Sequence, residues 1–142
     1  MIVLLRHGIA EDYHSNGDPY RALTGDGIEK LEATVAPLIR DIGGDFKLLV
    51  SPYVRARQTA DVLKRFRDFK EEIILDSLTP EADYLDAAKD ISDYSVIVSH
   101  LPLLPYLASY LLTGSPHGVS IEFKKGGAAI ISGKVLKGLV NF

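Results

Sequence analysis

Short apolar runs that alternate with helix-like segments constrain the fold of this chain more than any other feature. Residues 2–5, an unbroken Ile-Val-Leu-Leu, suit a strand buried on both faces, as the strands of parallel sheets are. Similar runs recur at residues 46–50 and 95–98, with segments of helical periodicity between them. Because parallel neighbours need such crossovers, we predict an α/β protein: a three-layer α/β/α sandwich around a mostly parallel sheet.

The other segments extend this pattern. Pro37 threatens the last turns of the first predicted helix, for which Thr24 is a good N-cap. Four segments have the apolar content of amphipathic or buried helices: residues 25–39, 53–66, 84–91 and 101–112. Four further segments are predicted strands, the last ones able to form an antiparallel edge: residues 73–75, 119–123, 128–132 and 135–140.

Composition narrows the class of protein. A chain of 142 residues is expected to form one domain over residues 1–142. A net charge of −3 argues against nucleic-acid binding, and the absence of cysteine excludes disulfides, thiolate nucleophiles and cysteine-based metal sites. No apolar run approaches a membrane span, and the N-terminus lacks the regions of a signal peptide, so the expected location is the cytoplasm.

Polar residues follow three of the predicted strands. Arg6 and His7 follow the first strand. Ser51 and Pro52 follow the second, and Arg55 lies in the first turn of the helix after it. Ser99 and His100 follow the strand at 95–98. If these strands are parallel, their carboxyl ends gather two histidines, two arginines and two helix N-termini at one edge of the sheet. Such groups bind phosphate, and a neutral histidine is a competent nucleophile toward phosphorus.

The order and spacing of these motifs resemble the histidine phosphatase (phosphoglycerate mutase-like) superfamily. The resemblance lies in Arg-His-Gly at 6–8, Ser-Pro-Tyr-Val-Arg-Ala-Arg-Gln-Thr-Ala at 51–60 and the later Ser-His at 99–100. Leu-Thr at 23–24 with Gly27 matches a further element of the family. Ser-His-Leu-Pro-Leu at 99–103 and the short length resemble the SixA-type phosphohistidine phosphatases. The resemblance extends from residue 2 to about residue 110.

This resemblance implies a two-step phosphatase reaction that needs neither metal nor cofactor. His7 would take up the phosphoryl group and water would then release it, while Arg6, Arg55 and His100 hold the phosphoryl oxygens. Arg21, in the loop after the first strand, resembles a basic residue of SixA-type sequences and is a further candidate for substrate binding. The expected partner is a phosphohistidine protein or a small phosphate ester, and the oligomeric state is left open.

One part of the family pattern is missing. Many members carry a proton-donating glutamate in a Leu-x-Glu element, where this chain reads Leu-Thr-Pro-Glu at 78–81. Candidates for that role are Glu11, Asp12, Asp18 and Glu81. Alternatively no acid is needed, because an imidazole that is already protonated leaves phosphorus more easily than an alkoxide does.

Other interpretations stay open from the sequence alone. The chain could be a small-molecule phosphomonoester phosphatase, a mutase-like enzyme or a phosphoprotein-binding module without turnover. Arg57, two residues beyond Arg55, should point to a different face of the helix and lie at the protein surface. His14 and His117 belong to no motif and are expected to be exposed.

Overall fold

The computed structural model describes residues 1–142 and contains a single six-stranded sheet. The strands are β1 (Ile2–Arg6), β2 (Lys47–Val50), β3 (Glu71–Ile74), β4 (Ser95–Ser99), β5 (Ala128–Ser132) and β6 (Val135–Val140). The helices are α1 (Gly25–Ala33), α2 (Val35–Asp41), α3 (Val54–Phe66), α4 (Tyr84–Asp90) and α5 (Leu103–Thr113), with short 3-10 turns at Asp18–Tyr20 and Asp76–Leu78.

The sheet confirms the predicted architecture. Its strands are ordered β3-β2-β4-β1-β5-β6. The first four are parallel to one another, whereas β5 runs antiparallel to both β1 and β6. Leu5 of β1 and Val50 of β2 both pair with Val98 of β4. The carboxyl ends of these three central strands therefore lie level, at one edge of the sheet.

Both faces of the sheet are covered, as a three-layer sandwich requires. Alternate strand residues such as Val3 and Leu5 belong to a buried cluster with residues of α1, α2 and α3. Their neighbour Leu4 belongs to a second cluster with residues of α4 and α5. The continuous apolar runs of β1, β2 and β4 thus reflect burial on both sides.

The first predicted helix is two helices. The break falls at Thr34, whose backbone is not helical, and Pro37 lies in the first turn of α2. Pro37 cannot donate to the carbonyl of Ala33, and its ring would collide with that group in a continuous helix. In the first turn of a new helix, where backbone N–H groups lack helical partners, the same proline is tolerated.

The predicted strand at residues 119–123 is wrong. The segment joins neither outer strand of the sheet, β3 or β6. Side chains satisfy its backbone instead: Ser109 Oγ accepts from the Val119 N–H at 3.0 Å, and Asn141 Nδ2 donates to the Glu122 carbonyl at 2.9 Å. The apolar residues of this segment therefore belong to a loop and not to a strand.

Two smaller boundaries also differ from the predictions. Strand β3 begins at Glu71 rather than at residue 73. Because β3 is an exposed edge strand, its polar residues Glu71 and Glu72 can pair with β2. Helix α5 begins at Leu103 rather than at residue 101. No helix combines the length and apolar character needed to cross a bilayer.

Candidate active site

The level ends of β1, β2 and β4 deliver the predicted side chains to one cavity. Beyond the strands, the His7 N–H donates to the Ser99 carbonyl and the Ser51 N–H to the Val98 carbonyl, each at 3.1 Å, so the loops leave the sheet in register. The cavity has a volume of about 260 Å³. Its lining includes all five residues singled out in the sequence, namely Arg6, His7, Arg21, Arg55 and His100.

The ring of His7 is held in one tautomer. Its Nδ1 lies 2.7 Å from the Gly8 carbonyl, which can only accept, so Nδ1 carries the proton. Nε2 is then unprotonated and accepts from Nε of Arg55 at 3.2 Å. Burial, reinforced by the charges of Arg55, Arg6 and Arg21, lowers the pKa of His7 to about 3 despite the opposing Gly8 bond. His7 is therefore a neutral imidazole at pH 7.

The hydroxyl group of Thr59 on α3 links the turn after His7 to the backbone of Arg55. Its hydroxyl accepts from the Gly8 N–H at 3.1 Å and donates to the Arg55 carbonyl at 2.8 Å. A side chain at Gly8 would displace Leu31, since a Cβ there would lie 2.8 Å from Cδ1 of that buried residue. The backbone beside His7 is therefore fixed from two sides.

Arg55 projects from the first turn of α3 and is only 4% exposed. Besides its contact with His7, it donates from Nη1 to the Asp18 carbonyl oxygen at 2.9 Å and from Nη2 to Asp18 Oδ2 at 3.2 Å. Its guanidinium lies 5.1 Å from the centre of the Tyr53 ring, within cation–π range. Burial lowers the pKa of Arg55, but an arginine stays protonated in proteins, so a positive charge lies beside Nε2 of His7.

The other two arginines reach the cavity from different segments. Arg6 donates from Nη1 to the Phe123 carbonyl at 2.9 Å, while its buried Nε has no hydrogen-bond partner. Arg21 donates from Nε to Asp18 Oδ1 at 2.8 Å and from Nη1 to the Glu11 carbonyl at 2.6 Å. The carboxylate of Asp18 therefore bridges Arg21 and Arg55.

His100 is buried beside His7, with 5.0 Å between the ring centres. Its Nε2 lies 2.7 Å from Oγ of Ser51, and the edge of the Tyr53 ring packs against it. Burial, together with the nearby His7 and Arg55, lowers the pKa of His100 to about 2. His100 is thus neutral at pH 7, and its buried Nδ1 has no partner.

Comparison with known proteins identifies the family of this chain. The family model of the histidine phosphatase superfamily (branch 1) matches residues 2–90. The chain belongs to this superfamily. A phosphohistidine phosphatase SixA homolog from Haemophilus influenzae is 35% identical to it in an alignment that covers 78% of this chain and 76% of the relative. The chain is therefore a phosphatase.

Solved structures support the fold of this histidine phosphatase. The protein histidine phosphatase SixA in complex with tungstate superposes with a TM-score of 0.78 at 24% identity, over 97% of this chain and 94% of that chain. A protein from Agrobacterium tumefaciens, provisionally assigned as the phosphohistidine phosphatase SixA, gives a TM-score of 0.80 at 22% identity, over 99% and 96% of the two chains.

The four acid candidates of this phosphatase lie in different surroundings. Although partial burial opposes it, hydrogen bonds and charge from Arg21 and Arg55 lower the pKa of Asp18, which is thus ionised at pH 7. The Glu11 carboxylate accepts from the Ala22 N–H at 3.1 Å, and the exposed Glu81 lies outside the cavity lining. Asp12 alone of the four lines the cavity.

The remaining sequence-based expectations have mixed outcomes. Arg57 is exposed on α3 and His117 is exposed, both as expected. His14 is half-buried rather than exposed, because its ring packs beside Tyr20 with 5.8 Å between ring centres.

Sequence reasoning missed several residues of the site. Lys125, Leu101 and Ala10 line the cavity. Ser51 and Thr59 belong to a sequence motif, but nothing in their spacing indicates that they hydrogen-bond His100 and Gly8. Lys125 comes from the loop before β5, far along the chain from any strand-end motif, so only the folded structure reveals its place.

Proposed function

We propose that this phosphatase removes phosphoryl groups from phosphohistidine proteins through a covalent intermediate on His7. The observation that carries this proposal is the tautomer of His7. The Gly8 carbonyl holds the proton on Nδ1, so Nε2 carries a lone pair inside an arginine-lined cavity, and attack on phosphorus would begin when the Arg55 Nε–H releases that lone pair. A neutral imidazole is the form that attacks phosphorus.

In the first step, Nε2 of His7 forms a bond to phosphorus as the bond from phosphorus to the substrate's imidazole nitrogen breaks. The electron pair of the broken bond stays on the departing nitrogen. If the other nitrogen of the substrate ring carries a proton, the substrate leaves as neutral imidazole. The positive charge passes to the His7 ring, which keeps its proton on Nδ1, so the exchange is balanced without a general acid.

In the second step, water attacks phosphorus and the bond from phosphorus to Nε2 of His7 breaks. The water oxygen becomes the fourth oxygen of inorganic phosphate, one water proton is released, and His7 returns to its neutral form. Both steps depend on positioning and charge stabilisation more than on elaborate covalent chemistry.

The phosphoryl oxygens would be held by Arg6, Arg55, Arg21 and His100. Two of these residues carry buried nitrogens without a partner, Nε of Arg6 and Nδ1 of His100. Buried polar atoms rarely stay unpaired, because an unpaired donor keeps the full penalty of desolvation. A phosphoryl group in the cavity would place its negative charge among the arginines, and either buried nitrogen would pair with it only after its side chain turns toward the cavity.

Three observations favour phosphohistidine over an alkyl phosphate as substrate. The Leu-x-Glu carboxylate is absent, and Glu81 lies outside the cavity lining. The exposed residues Asp12, Leu101 and Lys125 line the cavity, which therefore opens to the surface, where a protein-borne histidine can enter. The relative from Haemophilus influenzae is a homolog of a phosphohistidine phosphatase.

The test compares two phosphoryl carriers under identical conditions, with and without EDTA. We expect kcat/KM for a phosphohistidine protein to exceed that for an alkyl phosphomonoester such as a sugar phosphate, with no loss of rate in EDTA. Faster hydrolysis of the alkyl ester would contradict the proposed substrate, and loss of turnover in EDTA would contradict the metal-independent mechanism.

A further inference from the structure

One cation of the cavity is not engaged by the protein. Asp18 bridges Arg21 and Arg55, and Arg6 is bound to the Phe123 carbonyl. The exposed side chain of Lys125 also lines the cavity, yet it makes no hydrogen bond or ion pair with any residue of the chain. Its ammonium group is therefore free to meet a ligand.

The backbone places Lys125 beside the reacting centre by a short, firmly bonded turn. The Gly126 N–H donates to the carbonyls of both Arg6 and His7, at 3.1 and 3.0 Å, and the Arg6 N–H donates to the Gly127 carbonyl at 3.0 Å. Gly126 has a φ of +77°, a conformation that favours glycine. Because this turn is bonded to the backbone of the proposed nucleophile itself, the position of Lys125 relative to His7 is fixed at its Cα.

We propose that Lys125 is a specificity-determining residue that binds a carboxylate carried by the substrate next to its phosphoryl group. This inference rests on the proposed function, in which the phosphoryl group lies between His7 and the buried arginines. Arg55 and His100 are buried, whereas Lys125 is exposed at the opening of the cavity. A lysine at that opening meets the part of the substrate that surrounds the phosphoryl group.

In a phosphohistidine protein, the matching group is an aspartate or glutamate side chain close to the phosphorylated histidine. The chain as a whole carries a net charge of −3, so its overall charge repels a substrate with acidic residues. A local cation at the cavity opening would direct such a substrate to the site and orient it there.

The experiment uses two aryl phosphates of similar shape, para-carboxyphenyl phosphate, whose para substituent is anionic, and para-carbamoylphenyl phosphate, whose para substituent is neutral. Release of inorganic phosphate gives kcat/KM for each. We expect the wild-type protein to prefer the carboxylate compound by about five-fold, as a partly exposed ion pair would give. Lys125→Ala should bring that ratio close to one, and Lys125→Glu should reverse it.

Lys124→Ala is the matched control. Lys124 is the adjacent exposed lysine of the same loop but does not line the cavity, so its substitution should keep the wild-type ratio. A wild-type ratio near one, an equal loss for both compounds in Lys125→Ala, or the same change in Lys124→Ala would overturn the proposal. An equal loss would mean that Lys125 binds the phosphoryl group itself.

A second readout separates this proposal from the proposed reaction. Dissociation constants of the two compounds, measured by calorimetry with His7→Ala and with His7→Ala/Lys125→Ala, do not require turnover. The carboxylate preference should be present in the first protein and absent from the second. If His7→Ala shows the carboxylate preference although the wild-type protein hydrolyses neither compound, the proposed reaction is contradicted and the role of Lys125 is supported. If His7→Ala shows no carboxylate preference, the role of Lys125 is contradicted.

Discussion

Nε of Arg55 lies 3.2 Å from Nε2 of His7, although 48 residues separate them in the chain. Nδ1 of the same His7 ring is hydrogen-bonded to the Gly8 carbonyl, so the two ring nitrogens have different partners. Since Nε2 accepts a hydrogen bond only when unprotonated, this contact shows that Nε2, the nucleophile of the proposed mechanism, lacks a proton and has a cation beside it. Substitutions around this pair therefore have distinct expected effects.

Replacing Arg55 should impair the reaction far more than replacing its neighbour on the helix. Arg55→Ala removes a buried charge beside Nε2, and we expect kcat/KM for an aryl phosphate to fall by about 100-fold or more, a typical effect of losing one donor to a transition-state oxyanion. Arg57→Ala is the control, because Arg57 is exposed two residues further along α3. Similar losses in the two variants would contradict a direct role for Arg55.

Asp18 should act as a positioning residue for the arginines and not as a proton donor. Asp18→Asn keeps the shape of the side chain but weakens its bridge between Arg21 and Arg55. We expect kcat/KM to fall by about five- to ten-fold, mainly through a higher KM, as two charge-assisted hydrogen bonds become weaker. The pH profile of kcat should keep its shape.

The control for Asp18 is Asp45→Asn, which changes an exposed aspartate remote from the cavity lining. If Asp18→Asn instead removed one limb of the kcat profile, Asp18 would be the missing proton donor.

The two buried histidines should make the fold sensitive to mild acid. Folding lowers the pKa of His7 from 6.5 to about 3 and that of His100 from 6.5 to about 2. Below pH 6.5 the unfolded chain binds protons that the folded chain does not, so the free energy of unfolding falls as pH falls toward 3. Each group contributes a loss of about 1 kcal/mol per pH unit in this window.

Urea unfolding at pH 7.5 and pH 5.5 measures this effect. The wild-type protein should lose more stability between the two pH values than His7→Asn or His100→Asn does. His117→Asn, at an exposed histidine, should behave as the wild type does. Equal losses in all four proteins would show that His7 and His100 titrate normally in the folded state.

The hydroxyl group of Thr59 should contribute to both the stability and the activity of the protein. Thr59→Val keeps the shape of a fully buried side chain but leaves the Gly8 N–H without its acceptor. We expect a loss of about 1–3 kcal/mol in the free energy of unfolding and a lower kcat, because the turn that orients His7 is then held from one side only. Thr59→Ser, which restores the hydroxyl group, should recover most of kcat; failure to do so would assign the effect to packing.

Local sequence pattern accounts for a large part of this fold and site. The apolar runs at β1, β2 and β4 predict buried parallel strands, and parallel strands end at the same edge, so the pattern predicts that His7 and His100 lie at one edge of the sheet; the pairing of β1 with β4 makes them neighbours there. The order of the motifs then predicts the place of Arg55 beside them.

Features that depend on long-range contacts are not predictable in this way. The bridge from Asp18 to Arg21 and Arg55 and the approach of Lys125 arise from loops whose paths no local pattern specifies. The apolar residues at 119–123 lead to a false strand prediction for the same reason, because long-range contacts decide whether a β-like segment lies beside the edge of a sheet.

The most direct test of the central claim is to trap the phosphorylated enzyme. The protein is mixed with excess phosphohistidine protein, quenched in base within milliseconds to seconds, and digested for mass spectrometry under conditions that preserve phosphohistidine. We predict one phosphoryl group on His7, labile in acid, transient in the wild-type protein and absent from His7→Ala. Undiminished turnover by His7→Ala, or a phosphoryl group on another residue, would contradict the mechanism.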